Sequence, residues 1–109
     1  MVKDKVEGAI KFLEKSLKES DLKIERIVLF GSHAKGISRK ESDIDVVVVS
    51  EDFEGKNIFE RASLTKDAEI KTIKKFVIPF DIITLSIKEW ENEASLIVHY
   101  AKEGEVIYE

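Results

Sequence analysis

Residues 26–50 of this chain read RIVLFGSHAKGISRKESDIDVVVVS, two apolar runs joined by a polar segment. The first run ends at Gly31, and the second, residues 46–49, follows two aspartates, Asp43 and Asp45. The pattern predicts a strand, a glycine–serine turn, a short polar loop, and a second strand that begins with paired carboxylates. The rest of the chain is interpreted outward from this stretch.

The paired aspartates are unusual because strands rarely contain Asp. Side chains alternate along a strand, so we expect Asp43 and Asp45 on one face, with their Cα atoms about 6–7 Å apart, and Ile44 on the other face. Two carboxylates at the start of a buried run repel each other and lose solvation unless a positive charge lies between them. Oxygen ligands with open positions suit Mg²⁺, which completes its shell with water and substrate phosphate. The alternative is that Asp43 caps a turn and Asp45 is a solvated strand end. An EF-hand loop is excluded, because valines follow where glycine and further oxygen ligands are required.

The polar segment between the two runs has the features of an anion-binding turn. Gly31 permits a tight turn and close approach by a ligand, and Gly36 permits a left-handed end to a short helical turn. Backbone N–H groups at the start of that turn form a candidate phosphate site with the Ser32 hydroxyl, within reach of Lys35 on the same face. Taken alone, G-S-x-x-x-G is more typical of a structural turn. Asp43 follows Ser32 by 11 residues and leads into a buried strand, and this combination favours the phosphate site.

The motif at residues 31–36, followed by S-D-x-D at residues 42–45 and an aliphatic strand, resembles the signature of the DNA polymerase β-type nucleotidyltransferase superfamily. The short chain resembles the minimal nucleotidyltransferase (MNT) branch, in which the positions of His33 and Lys35 are often arginine. The resemblance implies an α+β fold in which a mixed β-sheet is packed with helices. It also implies a single domain over residues 1–109.

A third carboxylate, Asp81, is implied by the same resemblance. The run at residues 76–86, FVIPFDIITLS, predicts a strand in which Asp81 is the only acidic residue, and an unpaired buried carboxylate there would be costly. In the superfamily, a carboxylate on this next core strand completes the metal site. Asp43 and Asp45 would then bridge two Mg²⁺ ions about 3.5–4 Å apart, which Mn²⁺ could replace, and Asp81 would hold the catalytic ion and help deprotonate the acceptor. The nucleotide-binding residues implied are Gly31, Ser32, Lys35 and Ser42.

The chemistry implied is in-line attack by an acceptor hydroxyl on the α-phosphate of a nucleoside triphosphate, with release of pyrophosphate. Minimal nucleotidyltransferases are commonly paired with a small helical HEPN protein, an RNase-like toxin, and act as antitoxins by transferring AMP from ATP to that partner. Two other classes of function stay open: a non-catalytic module that neutralises such a partner by binding, and a nucleotide-binding regulatory domain. The presence of all three carboxylates favours catalysis.

The composition sets limits on the class of protein. A chain of 109 residues is long enough for one core, and the absence of cysteine excludes disulfides, thiolate zinc sites and a cysteine nucleophile. The net charge of −4 argues against broad binding to nucleic acid, which needs a basic surface. No signal-like or long apolar segment is present, so we expect a soluble cytoplasmic protein, in which a homo-oligomer is possible.

The remaining patterns predict the other elements, with helices covering one main face of the sheet. They are a helix over residues 2–19, a strand over 23–30, a helix over 58–75 begun by Asn57 and Glu60, a helix begun by the capping pattern of residues 86–89 and continued over 93–103 to a stop at Gly104, and a short edge strand over 106–108.

Overall fold

A computed structural model describes residues 4–36 and 43–108 of the chain. The described residues form helices and strands that alternate along much of the sequence. In chain order these are α1 (Asp4–Glu19), β1 (Ile24–Phe30), α2 (Gly31–Lys35), β2 (Ile44–Ser50), a 3₁₀ turn (Glu51–Phe53), α3 (Ile58–Phe76), β3 (Phe80–Leu85), α4 (Ile87–Trp90), α5 (Leu96–Lys102) and β4 (Glu105–Tyr108).

The four strands form one mixed sheet in the order β3-β2-β1-β4. Strand β1 is antiparallel to both β2 and β4, whereas β2 and β3 run parallel. The predicted α+β fold with a mixed sheet is therefore confirmed. Because of these directions, the carboxyl end of β1 and the amino ends of β2 and β3 meet at one end of the sheet. Gly31, Asp43 and Asp45 lie at that end.

Both faces of the sheet are covered, which differs from the prediction of helices on one main face. Val46 and Val48 of β2 belong to the cluster that packs against α1 and α3. Val47 and Val49 belong to a second cluster with residues of α4 and α5. All four valines have no exposed surface, so a strand this apolar needs a layer on each side. Because side chains alternate along a strand, the side chain of Asp45 lies on the same face of the sheet as Val47 and Val49.

The capping patterns predicted the helix starts correctly. At α3 the Asn57 side chain accepts a hydrogen bond from the Glu60 N–H (2.9 Å), and the Glu60 carboxylate accepts one from the Asn57 N–H (2.8 Å). Ser86 and Glu89 form the same reciprocal pair at α4. These bonds satisfy N–H groups that have no partner inside the helix.

Several details of the elements differ from the prediction. Helix α3 continues to Phe76 and ends with Val77 in the left-handed region, at φ 57°, so β3 starts only at Phe80. The last long helix starts at Leu96 instead of residue 93. Gly104 is not a left-handed stop: a Cβ there would overlap the carbonyl oxygen of Leu29, so glycine is needed because the chain passes close to β1.

Candidate active site

The pairing of β2 with β3 brings two of the three aspartates together. Asp45 and Asp81 are direct partners in the parallel register, on neighbouring strands about 4.8 Å apart. Asp43 stands just before β2 and is exposed. The structure thus places the three carboxylates predicted from the motif at one end of the sheet.

Helix α2 begins directly beside this group. Phe30, the last residue of β1, pairs with Asp45, and the chain then turns at Gly31, where φ is 75°. A Cβ on Gly31 would overlap Oδ2 of Asp45. A side chain is therefore excluded at Gly31 both by the backbone conformation and by the carboxylate packed against it. The close approach predicted for a ligand is made in this structure by Asp45 itself.

The electrostatics of Asp45 are unfavourable for its charged form. Burial raises the pKa of the Asp45 carboxyl, and the negative charges of Asp81 and Asp43 raise it further, while His33 offsets part of the shift. His33, in α2, is buried. A carboxylate with raised pKa and like-charged neighbours is stabilised by a cation.

The donor set suits a hard divalent cation, although it is not drawn together as a preformed cage. Among residues 4–36 and 43–108, no three His, Cys, Asp or Glu side chains converge closely enough to hold an ion as they stand. Asp43, Asp45 and Asp81 offer oxygen donors, the kind of ligand that Mg²⁺ and Mn²⁺ prefer.

Two of the residues predicted to hold phosphate, Ser32 and Lys35, lie in α2 and reach solvent. Ser32 is partly exposed in α2, and Phe30, the residue that precedes this helix, provides no side-chain cap. Lys35 is exposed and its Nζ lies 5.2 Å from the centre of the Tyr100 ring, a cation–π arrangement. Ser42 lies outside the described residues.

Asp81 is exposed, contrary to the expectation that its burial makes it costly. It is the second residue of β3, an edge strand, and solvent reaches it there. The reason for assigning it a function is consequently its register with Asp45, not its burial.

The sequence analysis missed a fourth carboxylate near the site, Glu69 of α3. This side chain is half-buried, and burial followed by the charge of Asp81 raises the pKa of its carboxyl. Glu69 shares one face of α3 with Thr65 and Thr72, which are buried, but nothing in the sequence shows that this face lies near Asp81.

The sequence matches the family model of the nucleotidyltransferase domain over residues 10–103. The chain belongs to this family. The superfamily predicted from residues 31–45 is thereby confirmed, and the mixed sheet with its carboxylates at one end is the nucleotidyltransferase fold.

Solved structures give the same fold. One is a toxin–antitoxin complex crystallised with AMP-PNP, which has a TM-score of 0.65, 19% identity, and coverage of 94% of this chain and 72% of that chain. Another is a mutant of the toxin–antitoxin pair MntA–HpeT, with a TM-score of 0.60, 20% identity, and coverage of 92% and 72%. No curated protein matches the chain significantly. In the part of the chain that the structure describes, no helix is long and apolar enough to cross a membrane.

Proposed function

We propose that this nucleotidyltransferase transfers AMP from ATP to a hydroxyl group of an acceptor protein in a Mg²⁺-dependent reaction. The observation that carries the proposal is the register of Asp45 with Asp81 at the end of the sheet where α2 begins. Family membership supplies the class of reaction. The raised pKa of Asp45 adds that this end of the sheet favours a bound cation.

Asp43, Asp45 and Asp81 are the residues that would hold Mg²⁺, as two ions, with Mn²⁺ as a substitute. When bound, the metal neutralises the charge of the triphosphate and stabilises the entering and leaving oxygens. The carboxylates would contribute oxygen ligands to it.

The remaining roles are to bind the triphosphate and to orient the acceptor hydroxyl. Asp81, exposed at the edge of the sheet, is accessible to an acceptor and would take the proton of its hydroxyl. The Ser32 hydroxyl and the N–H groups after Gly31 would hold the β- and γ-phosphates, whose charge grows as pyrophosphate leaves. Lys35 would join them by exchanging its contact with Tyr100 for a phosphate oxygen. Ser42, within the motif, completes this proposed set.

The proposed acceptor is a HEPN-type partner, and the proposed biological role is that of an antitoxin in the cytoplasm. The MNT-like motif supports this assignment. The structural similarity to two toxin–antitoxin complexes, one of them with AMP-PNP, agrees with it. On this proposal the single domain of residues 1–109 performs the transfer, and the partner provides the hydroxyl.

The test is incubation with each of the four nucleoside triphosphates, radiolabelled at the α-phosphate, with Mg²⁺ and with or without the protein encoded by the neighbouring gene. We expect label from ATP on that protein, and none with the Asp43→Ala/Asp45→Ala double variant. If the folded double variant neutralises the partner stoichiometrically, the protein acts by binding instead. No label from any of the four nucleotides would contradict the proposed transfer.

A further inference from the structure

A groove of about 470 Å³ runs along the outer edge of β3. Its volume is within the range of ligand-binding clefts, about 300–1,000 Å³. The groove is not one of the features that the motif predicted, because its walls come from distant parts of the sequence. It is lined by Lys56, Ile58, Arg61, Asp81, Ile82, Ile83, Thr84 and Glu89.

The floor of the groove is an open strand edge. Strand β3 has β2 on one side and no strand on the other, within the described part of the chain. The Pro79 carbonyl accepts a hydrogen bond from the Ile44 N–H (2.9 Å) and therefore faces β2. Because successive residues of a parallel strand direct their N–H and C=O groups to opposite sides, those of Phe80, Ile82 and Thr84 face the groove.

Arg61 limits how much of this edge is available. Its Nη1 donates to the Thr84 carbonyl (3.0 Å) and to Glu89 Oε1 (2.7 Å), and its Nε donates to the Lys56 carbonyl (2.9 Å). The carbonyl of Thr84 is thus already bonded. The edge groups left for another chain are the N–H of Thr84 and those of Phe80 and Ile82, the residues on either side of Asp81.

The charges in the groove are uneven. Arg61 and Glu89 neutralise each other through their ion pair. At the same end, Lys56 donates to the Asp52 carbonyl (2.9 Å) and makes no ion pair with any residue that the structure describes. At the other end stands Asp81. The groove therefore presents a positive charge at one end and, at the other, the carboxylate that would receive the proton.

Apolar surface borders the same wall. Ile58 is 72% exposed and Phe59 is 80% exposed in the first turn of α3. Two adjacent large apolar side chains this exposed beside a strand edge are typical of a docking surface for polypeptide.

We propose that the β3 edge binds an extended segment of the acceptor protein that carries its target hydroxyl at Asp81 and an acidic side chain opposite Lys56. This inference rests on the proposed function, because the hydroxyl beside Asp81 is the one that receives AMP. Pairing with Phe80 and Ile82 fixes the register of the segment, and the charge of Lys56 fixes its direction. The acceptor is thereby recognised as a short linear sequence.

The test uses a library of peptides with a fixed tyrosine, serine or threonine and randomised neighbours, incubated with ATP labelled at the α-phosphate. We expect the wild-type protein to label peptides enriched in Asp or Glu at one fixed position relative to the hydroxyl. Lys56→Glu should shift the preference to Lys or Arg at the same position, by about five- to tenfold in the acid-to-base ratio. Lys66→Glu is the matched control, since Lys66 is an exposed lysine of α3 outside the groove, and it should leave the preference unchanged.

The outcomes separate the groove from the transfer reaction. Labelled peptides with an identical preference in wild type and Lys56→Glu, or label confined to a second copy of this chain, would overturn the groove and leave the transfer intact. Absence of label on peptides and also on the neighbouring-gene protein would overturn the proposed function itself. A melting curve for each variant establishes that it is folded.

Discussion

The two ends of the paired strands β2 and β3 place the carboxylates near them in opposite surroundings. Burial alone would raise the pKa of Glu89, but hydrogen bonds from the Ser86 backbone and from Arg61 outweigh it and lower that pKa. At the other end, burial and the charges of Asp81 and Asp43 raise the pKa of Asp45. The fold therefore provides donors and a cation where a carboxylate stabilises the structure. It leaves the carboxylates of the candidate site to be compensated by a ligand.

We expect the largest effect from the removal of Asp81, at the end of the strands that carries the candidate site. Asp81→Ala should lower the rate of AMP transfer about a thousandfold, or about 4 kcal/mol of transition-state stabilisation, while sparing much of the nucleotide affinity. Ser32→Ala should instead weaken nucleotide binding. Initial rates of labelling and titration with a non-hydrolysable ATP analogue measure the two effects. Asp67→Ala, at an exposed position of α3, is the control. If Asp81→Ala transfers AMP at the same rate as this control, Asp81 is not part of the active site.

At the opposite end, where Arg61 pairs with Glu89, loss of the cation should lower the stability of the protein. The Arg61 side chain is 11% exposed and bonds to three segments of the chain, so Arg61→Ala leaves partners without donors. We expect a loss of about 1–3 kcal/mol in the free energy of unfolding by urea. Lys66→Ala should stay within about 0.5 kcal/mol of wild type. An Arg61→Ala variant as stable as that control would show that the network contributes little.

At the end of the strands that carries Asp45 and Asp81, a bound divalent metal ion should stabilise the protein. Mn²⁺ or Mg²⁺ at about ten times its dissociation constant should add about 1.4 kcal/mol, seen as a raised melting temperature. Asp45→Asn should weaken this response, and Glu89→Gln should retain it, because Glu89 belongs to the other end of β3. Equal responses in both variants, or none in wild type, would contradict the metal assignment.

The smallest expected effect is a pH dependence of metal-free stability. Because folding raises the pKa of Asp45, the native state is favoured while the carboxyl is protonated, and this contribution is lost as pH rises through the folded-state pKa. Asp45→Asn does not ionise, so its stability relative to wild type should increase from about pH 3 and level off above the raised pKa. Urea unfolding in EDTA across this range measures the difference. A difference that stays constant with pH, or falls, would show that Asp45 is not destabilised by its charge.

The local features of the site were readable from the sequence, and the tertiary ones were not. The spacing of Gly31, Asp43 and Asp45 and the capping pairs of α3 and α4 depend on near neighbours in the chain. The same applies to the strand that carries Asp81, although its start was placed too early because no pattern marked the left-handed Val77.

Other features depend on contacts between distant segments. Gly104 gave the same sequence signal as a helix stop, yet its role is set by the Leu29 carbonyl. Glu69 approaches Asp81 only because α3 packs beside β3, and Arg61 reaches Thr84 across 23 residues for the same reason. Coverage of the second face by α4 and α5 likewise required the three-dimensional arrangement.

Nucleotidyl transfer at Asp45 and Asp81 is tested most directly by determining which phosphate of ATP becomes bound to the acceptor. The protein encoded by the neighbouring gene is incubated with Mg²⁺ and with ATP labelled either at the α-phosphate or at the γ-phosphate. Nucleotidyl transfer predicts that the α-label becomes bound to the acceptor and that the γ-label is released in pyrophosphate, with both outcomes lost in Asp45→Asn. Label on the acceptor from the γ-phosphate but not from the α-phosphate would identify phosphoryl transfer and contradict the account.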